Sequence, residues 1–442
     1  MAQIPVENRE PGVIYRKLPS PKQILIPAQV AEVAFVGKSK TTKTLTDEEV
    51  TRGSGTTDDL SADTVSSITS IYDKNGVKYF LTADFILTAP NKVDWTPAGN
   101  EPAVGVKYYA TYEIPRDPAL GDYNFKTFYS QDDVIQEYGE SSSTNELSLA
   151  TELFFLNGGV KIHTVQIDGI DSAAFLEAFD KLAAEELDII VPLQSNSTGF
   201  ETIFLDIKGR IFQLSQPVEG MQRMAFLAPV IGTSIADYKT LAQGLKFERL
   251  ALIAPSSVNK TIDSVLYELP AYFFGAAASG FLADPDNLVS DPLTRKELYG
   301  FDSINVKYTK TQIRELIQNG IMIVEDFNGL IRVVQGITTD RTGVDTNEIS
   351  LVRVADFFGK TLRTTLDQIY VGTRLDLTSL ASIRTTITTV CDNFISRGIF
   401  TNIADLSVKQ NTQNPTAVDV FLNIQPVYPL NYITVEFTLA LL

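Results

Sequence analysis

The chain has 442 residues, enough for about three domains of ordinary size. Hydrophobic residues make up 44% and charged residues 21%, and the formal net charge is -17, a balance that suits a folded chain and opposes binding to nucleic-acid phosphates. One cysteine, Cys391, and one histidine, His163, allow no intrachain disulfide, no histidine-rich zinc cluster and a single position for an imidazole base.

No apolar run approaches the roughly 20 residues of a membrane span. The start, MAQIPVENREPG, lacks the basic and apolar regions of a secretory signal, so a cytoplasmic chain without membrane insertion is expected. Pro5, Pro11, Pro19 and Pro21 come with few apolar anchors and predict an extended arm over 1–22, in need of a surface to pair with. Val30 to Val36 is apolar and valine-rich, which predicts a buried strand opening a central domain. Phe35-Val36-Gly37-Lys38-Ser39 ends that strand like a phosphate loop, but Glu32 stands where the first glycine should be, so no nucleotide cofactor is expected.

Residues 38–67 are polar and rich in Gly, Ser and Thr and read as a surface loop. From Ile68 to Tyr112, short aromatic and β-branched runs broken by Asp73-Lys74-Asn75-Gly76, Ala89-Pro90-Asn91-Lys92 and Pro97-Ala98-Gly99-Asn100 predict a small antiparallel module. Trp95 with Tyr79, Phe80, Phe85, Tyr108, Tyr109 and Tyr112 is either a sugar platform or a compact aromatic core, and the second is the commoner use of such a set. His163, in the strand-like run Val160 to Ile167, reads as a structural histidine.

Beyond Tyr123 helix and strand alternate. Phe175, Phe179 and Leu182 share one helical face, Phe204, Ile207, Ile211 and Leu214 a second, and Ile235, Tyr238, Leu241 and Leu245 a third. Each precedes a short apolar strand, which predicts a largely parallel sheet with helices on its faces. Leu269 to Leu282 reads as a further helix. After Asp284 a third region begins, with a helix near Lys310 to Asn319 and a hairpin at Asp326-Phe327-Asn328-Gly329. Phe358, Leu362, Leu366 and Ile369 line one later helix. Ile383, Ile387, Val390 and Phe394 line the next, starting at Thr378 or Ser379 as cap and ending at Gly398. Val418, Val420, Leu422 and Ile424 alternate as one strand, and Ile433, Val435, Phe437 and Leu439 as another that would aggregate unless a partner sheet covers it.

Two stretches carry a resemblance: Glu325 to Asp340, with its short hairpin, Arg332-Val333 and Gly336-Ile337-Thr338-Thr339, and Glu348 to Asp356. With Tyr370-Val371-Gly372, Gln425 to Val435 and the opening Glu10 to Tyr15, they fall in the order found in contractile phage tail sheath proteins, which this chain resembles. The resemblance is good over 300–442, weak over the first forty residues and architectural in between. It implies a multidomain α/β and α+β fold: an N-terminal arm (1–22), a central α/β domain (23–45 with 120–284), an outward-facing polar loop and β insertion (46–119), a C-terminal α+β inner domain (285–428) and a C-terminal β arm (429–442).

The resemblance further implies a virion subunit without catalytic, metal or cofactor sites, assembled in the host cytoplasm. Its partners would be copies of itself in a helical array, the tail tube protein, and the baseplate and tail terminator proteins, with no nucleic acid. Strands lent to neighbours would make Ile4, Val13, Ile14, Ile433, Val435 and Phe437 the inter-subunit contacts. Arg332, Arg353 and Arg363 are candidates for salt bridges to a neighbour or the tube. Two rivals stand beside it. An enzyme finds no paired carboxylates, nucleophile elbow or metal spacing to work with. A non-contractile virion or cell-surface adhesin shares the acidity and the β module but does not predict unpaired strands at both ends.

Overall fold

The computed structural model describes residues 30–437 apart from 98 and 195–198. These fall into two compact units, 30–358 with 426–437 and 359–425, the division lying inside the helix Ile349–Tyr370. The fold is mixed α/β and multidomain.

In the larger unit, eight strands form one sheet in the order Leu330–Val333, Ile321–Phe327, Leu250–Ala254, Met224–Leu227, Ile189–Pro192, Val33–Gly37, Ile162–Gln166, Lys126–Phe128. The inner six run parallel and the two edge strands pair antiparallel. Successive side chains leave a strand on opposite faces, so a strand covered on both sides must be apolar throughout. Val33 and Phe35 enter one core with Ile189, Val191, Phe226 and Ile253, whereas Ala34 and Val36 enter a second with Ile190, Leu227 and Leu252. The helices Ser172–Lys181, Phe200–Leu214 and Ile235–Leu245 cover the second face, each with the periodic apolar positions read from sequence. Glu146–Leu156 and Tyr272–Leu282 cover the first. These two helices lie so close that a Cβ on Gly280 would meet the Phe154 carbonyl oxygen at 2.3 Å, which makes glycine obligatory there.

Two expectations change. The helix near 269–282 begins only at Tyr272, because Val265–Pro270 pairs with Ser257–Ile262 as a hairpin. The hairpin at Asn328-Gly329, with both residues at positive φ, is present, but it does not open a separate domain: Ile321–Phe327 pairs with Leu250–Ala254, so the central sheet continues past the boundary expected at 284. Residues 427–437, within the arm expected to pair with a neighbour's sheet, form no strand among the described residues.

The stretch Gly336 to Thr339 ties this edge down. A Cβ on Gly336 would lie 2.8 Å from that of Leu293, and Ile337 is fully buried. The Thr338 hydroxyl donates to the Thr346 carbonyl at 2.6 Å, and that of Thr339 donates to the Phe247 carbonyl at 3.0 Å. Both threonines therefore bond backbone carbonyls that lie outside the sheet ladder.

The β insertion is larger than expected, because residues 38–67 are not all loop. Thr42–Thr51 is a ten-residue strand along Lys107–Pro115, followed in the sheet by Ser67–Asp73 and Lys78–Tyr79. A second sheet joins Thr57–Asp59, Lys92–Asp94 and Ile86–Thr88. Between them Trp95, 5% exposed, meets Tyr79 and Tyr108 edge-on at 5.5 and 5.3 Å, and its Nε1 donates to Asp58 Oδ2 at 2.9 Å. Trp95 is thus a core residue of the module and presents no face on which a sugar could stack.

The smaller unit packs the helix Leu377–Ser396 on the hairpin Phe400–Gln410 and Val418–Pro426, with Ile387, Val390, Cys391, Phe394 and Ile399 buried. The cap is Asp376, two residues before the first of the expected caps: Asp376 accepts from the Ser379 amide at 2.7 Å, and the Ser379 hydroxyl accepts in return from the Asp376 amide at 2.8 Å. Asp376→Ala should cost about 1 kcal/mol and speed hydrogen exchange of the first-turn amides, measurable by mass spectrometry.

Candidate assembly surface

Pro426 and Pro429 end the last strand, since neither can donate to a ladder. Between them and the exposed end of the described chain one polar clasp holds the segment to the larger unit. Glu348, 3% exposed at the start of the helix Ile349–Tyr370, receives two amides on its Oε1: Gln335 Nε2 and Asn431 Nδ2, each at 2.8 Å. Burial raises the Glu348 carboxyl above its ordinary range, and the two amide bonds oppose that rise by favouring the ionised form.

Past the clasp the chain is uncovered. Ile433, Val435 and Phe437 are 76, 76 and 82% exposed, and 427–437 pairs with no strand among the described residues. Alternate positions put these three side chains on one side of an extended segment, with Thr434 and Glu436 on the other. In the smaller unit, Phe400–Gln410 and Val418–Pro426 pair only with each other among the described residues, so each keeps an unpaired edge, and Phe421 is 60% exposed. Ile4, Val13 and Ile14 lie outside the described residues.

The arginines divide. Arg332 gives Nε and Nη2 to Glu325 Oε1 at 3.0 and 2.8 Å and stacks over Phe327 with 3.6 Å to the ring centroid, so it is satisfied internally. Arg353 sits on the buried side of its helix and donates to the Leu282 carbonyl at 2.8 Å. Burial pushes its guanidinium down to about 10, and with 6% exposure it is turned to the interior of the larger unit. Arg363 is exposed and has no ion pair among the described residues.

The remaining chemistry-bearing groups have structural partners. His163 Nε2 donates to Glu32 Oε2 and Nδ1 meets the Thr127 hydroxyl, both at 2.8 Å, with Phe125 stacked on the ring. That bond from His163 does most to hold the Glu32 carboxyl down to about 2. At Gly37 a Cβ would meet Leu193 at 2.7 Å, and the Ser39 hydroxyl donates to Asn145, so the turn after the first strand serves packing and not phosphate. No group of three or more His, Cys, Asp or Glu among the described residues could hold a metal ion.

Asp356 pairs with Arg249 at 2.5 Å, yet burial pushes its carboxyl up to about 7 against that attraction. Its ordinary value is 3.8, so between about pH 4 and 7 the folded chain keeps a proton that the unfolded chain releases. Stability from this group is complete at the acid end of that window and is lost as pH rises through 7. Asp356→Asn should therefore flatten the fall in urea midpoint between pH 5 and about 7.5; an unchanged slope would remove Asp356 as its source.

Residues 342–440 match the phage tail sheath C-terminal domain, and 25–127 match a domain of unknown function, DUF4815. The tail sheath protein of Mycobacterium phage Bxz1 is 26% identical over 334 residues, covering 71% of this chain and 55% of that protein. That of Bacillus phage SP01 is 27% identical over 287 residues, covering 64% and 47%. The chain thus spans about half the length of these curated relatives. Among solved structures, the contracted helical sheath of the anti-feeding prophage superimposes with a TM-score of 0.64 over 97% of this chain and 98% of that one at 16% identity, a likeness of fold. The chain is thus similar in sequence to phage tail sheath proteins, with its C-terminal region matching their C-terminal domain, and similar in fold to a contracted sheath.

Proposed function

We propose that the chain is a structural subunit of a contractile tail sheath, polymerising helically around an inner tube and contracting to drive that tube through an envelope. The observation that carries this is the uncovered run Ile433, Val435 and Phe437 beyond a segment clasped at Asn431. Burying each of these side chains against a neighbour would contribute roughly 1.5–3 kcal/mol, and an added strand brings backbone hydrogen bonds at about 0.5–1.5 kcal/mol apiece. The unpaired hairpin edges of the smaller unit are suitable acceptors for such a strand.

Ile4, Val13 and Ile14 would enter the same kind of contact from the other end of the chain, and Arg363 is the arginine of the three best placed to meet a neighbour or the tube. The C-terminal region would face the tube and the β insertion would face outward. Head-to-tail contacts that do not close extend into a helix. The free energy of contraction would lie in contacts of the contracted lattice, with no nucleotide consumed. Tube, baseplate and terminator proteins would be its partners within a phage tail or a related injection machine built in the bacterial cytoplasm.

Negative-stain electron microscopy of the purified chain at rising concentration tests this. Long hollow cylinders are expected; monomers throughout would remove the reading.

A further inference from the structure

We propose that the solvent face of the insertion's larger sheet is a binding site for neutral saccharides, with the rings of Tyr72 and Tyr109 as its floor and the carboxylates of Asp47 and Glu49 as hydrogen-bond acceptors. Side chains alternate between the two faces of a strand. Ile71, Tyr108 and Ala110 turn inward to the core around Trp95, so Tyr72 and Tyr109 turn the other way. These two tyrosines stand directly opposite each other across Ser67–Asp73 and Lys107–Pro115, and Glu49 stands opposite Tyr109 on Thr42–Thr51. Their ring centroids lie 5.6 Å apart with the planes 29° from parallel, and both side chains are half-buried. The hydroxyls are tethered on the same side: Tyr109 donates to Glu49 Oε2 at 3.4 Å, and Tyr72 donates to Asp47. Because Lys107–Pro115 lies between the strands of Tyr72 and Asp47, the Tyr72 side chain has to cross over it to make that bond.

Asp47 is aimed by a bulge. Leu45 faces Tyr112 and Glu48 faces Ala110, so Thr46 and Asp47 together oppose Thr111, and Asp47 takes a φ of 56°. Its amide donates to the Thr111 hydroxyl, and that hydroxyl donates to its Oδ1, each at 3.1 Å. A cross-strand tyrosine pair that only steadied a sheet could leave its phenols to water. Two carboxylate tethers fix the rings before anything binds, which lowers the entropy lost on binding. The composition of the face then selects the occupant. The C–H hydrogens of a sugar ring carry the slight positive charge that an aromatic face attracts, and sugar hydroxyls donate to carboxylates. Asp47 holds Tyr72 and Thr111, Glu49 holds Lys107 and Tyr109, and each carboxylate keeps lone pairs beyond these. The same carboxylates oppose the phosphates of nucleic acids and of lipid headgroups. A protein contact would need an apolar core, and neither the row Glu49, Tyr109, Tyr72, Lys78 nor the row of Asp47, Thr111 and Ser70 offers an aliphatic side chain.

This inference stands apart from assembly, so it is read on the full-length single chain below the concentration at which tubes form. Saturation-transfer NMR and calorimetry with cellohexaose, laminarihexaose and maltohexaose should show at least one of them binding at millimolar concentration. With carbon-13 on the tyrosine rings, the resonances of Tyr72 and Tyr109, assigned from Tyr72→Phe and Tyr109→Phe, should move on titration, while those of the buried Tyr108 and Tyr112 stay. Tyr109→Ala should weaken binding about tenfold or more, and Tyr72→Phe, which keeps the ring but unties it, by less. Since Tyr109→Ala also removes a cross-strand contact, Glu49→Gln gives a second reading: it keeps the shape, loses the charge and should bind about threefold more weakly. Binding of none of the three sugars, shifts confined to other tyrosines, or Glu49→Gln binding as tightly as wild type overturns the proposal. Each of these leaves the sheath reading intact, whereas protein that binds the sugar and never polymerises removes the sheath reading alone.

Discussion

Replacing Arg223 by methionine should destabilise the larger unit by about 2–5 kcal/mol, because buried carbonyls that lose a donor cost about 1–3 kcal/mol each. Arg223 has no exposed surface, and its guanidinium donates to the carbonyls of Leu182 and Glu185 at 3.0 Å each and of Met221 at 3.2 Å. The first of these ends the helix Ser172–Lys181, whose last carbonyls have no partner within the helix. One side chain at the head of the strand Met224–Leu227 thus closes the neighbouring helix and fixes where chain returns to the sheet. Burial lowers the Arg223 guanidinium to about 10, opposed by Asp188, so it remains charged at neutral pH. Methionine fills the volume but takes the guanidinium from three carbonyls, leaving Leu182 with only the Glu185 amide at 3.2 Å. Arg223→Lys should recover only part of the loss, because an ammonium lacks the planar fork that spans three acceptors. Urea denaturation followed by circular dichroism measures both, and a methionine variant within 1 kcal/mol of wild type would refute this account of the site.

The contrast between Arg223 and the sheet around it shows where sequence is informative. Val33 to Val36 could be read directly, since a strand covered on both faces has to be apolar at every position, and the helices over it announce themselves through positions repeating every three to four residues. Thr42–Thr51 escaped because one face and one edge are in water: Leu45 and Val50 are its only large apolar side chains, too few to stand out from a loop. The boundary at 284 was misplaced for a different reason. Whether Ile321–Phe327 starts a new sheet or extends an old one depends on pairing with Leu250–Ala254, a contact that local patterning does not encode. The clasp is the extreme case. Glu348 and Asn431 both stand in stretches that carry the sheath resemblance, yet their bond joins residues 83 positions apart and only the fold brings them together. Arg332 and Arg353 were singled out by charge alone, and charge does not say whether a guanidinium meets solvent or a carbonyl.

Changing Ile433, Val435 and Phe437 together to serine should abolish tube formation while leaving the subunit folded. All three side chains are exposed in the single chain, so their loss removes almost no packing, and surface changes of this kind stay within about 0.5 kcal/mol. In an array the balance reverses, because each side chain would leave water at a neighbour's expense of surface, and the triple change forfeits roughly 4–8 kcal/mol per joined subunit. That corresponds to a critical concentration higher by about a thousandfold or more. Strand geometry adds a sharper demand. If the segment enters a neighbour's sheet with 433, 435 and 437 facing the core, then Thr434→Ala and Glu436→Ala lie on the opposite face and should shift assembly far less than any one of the three apolar changes. Sedimentation of the variants over a concentration series, beside their thermal melts, separates the outcomes. Equal penalties at odd and even positions would mean a contact without strand periodicity, and tubes from the triple variant at the wild-type concentration would show that this segment joins nothing.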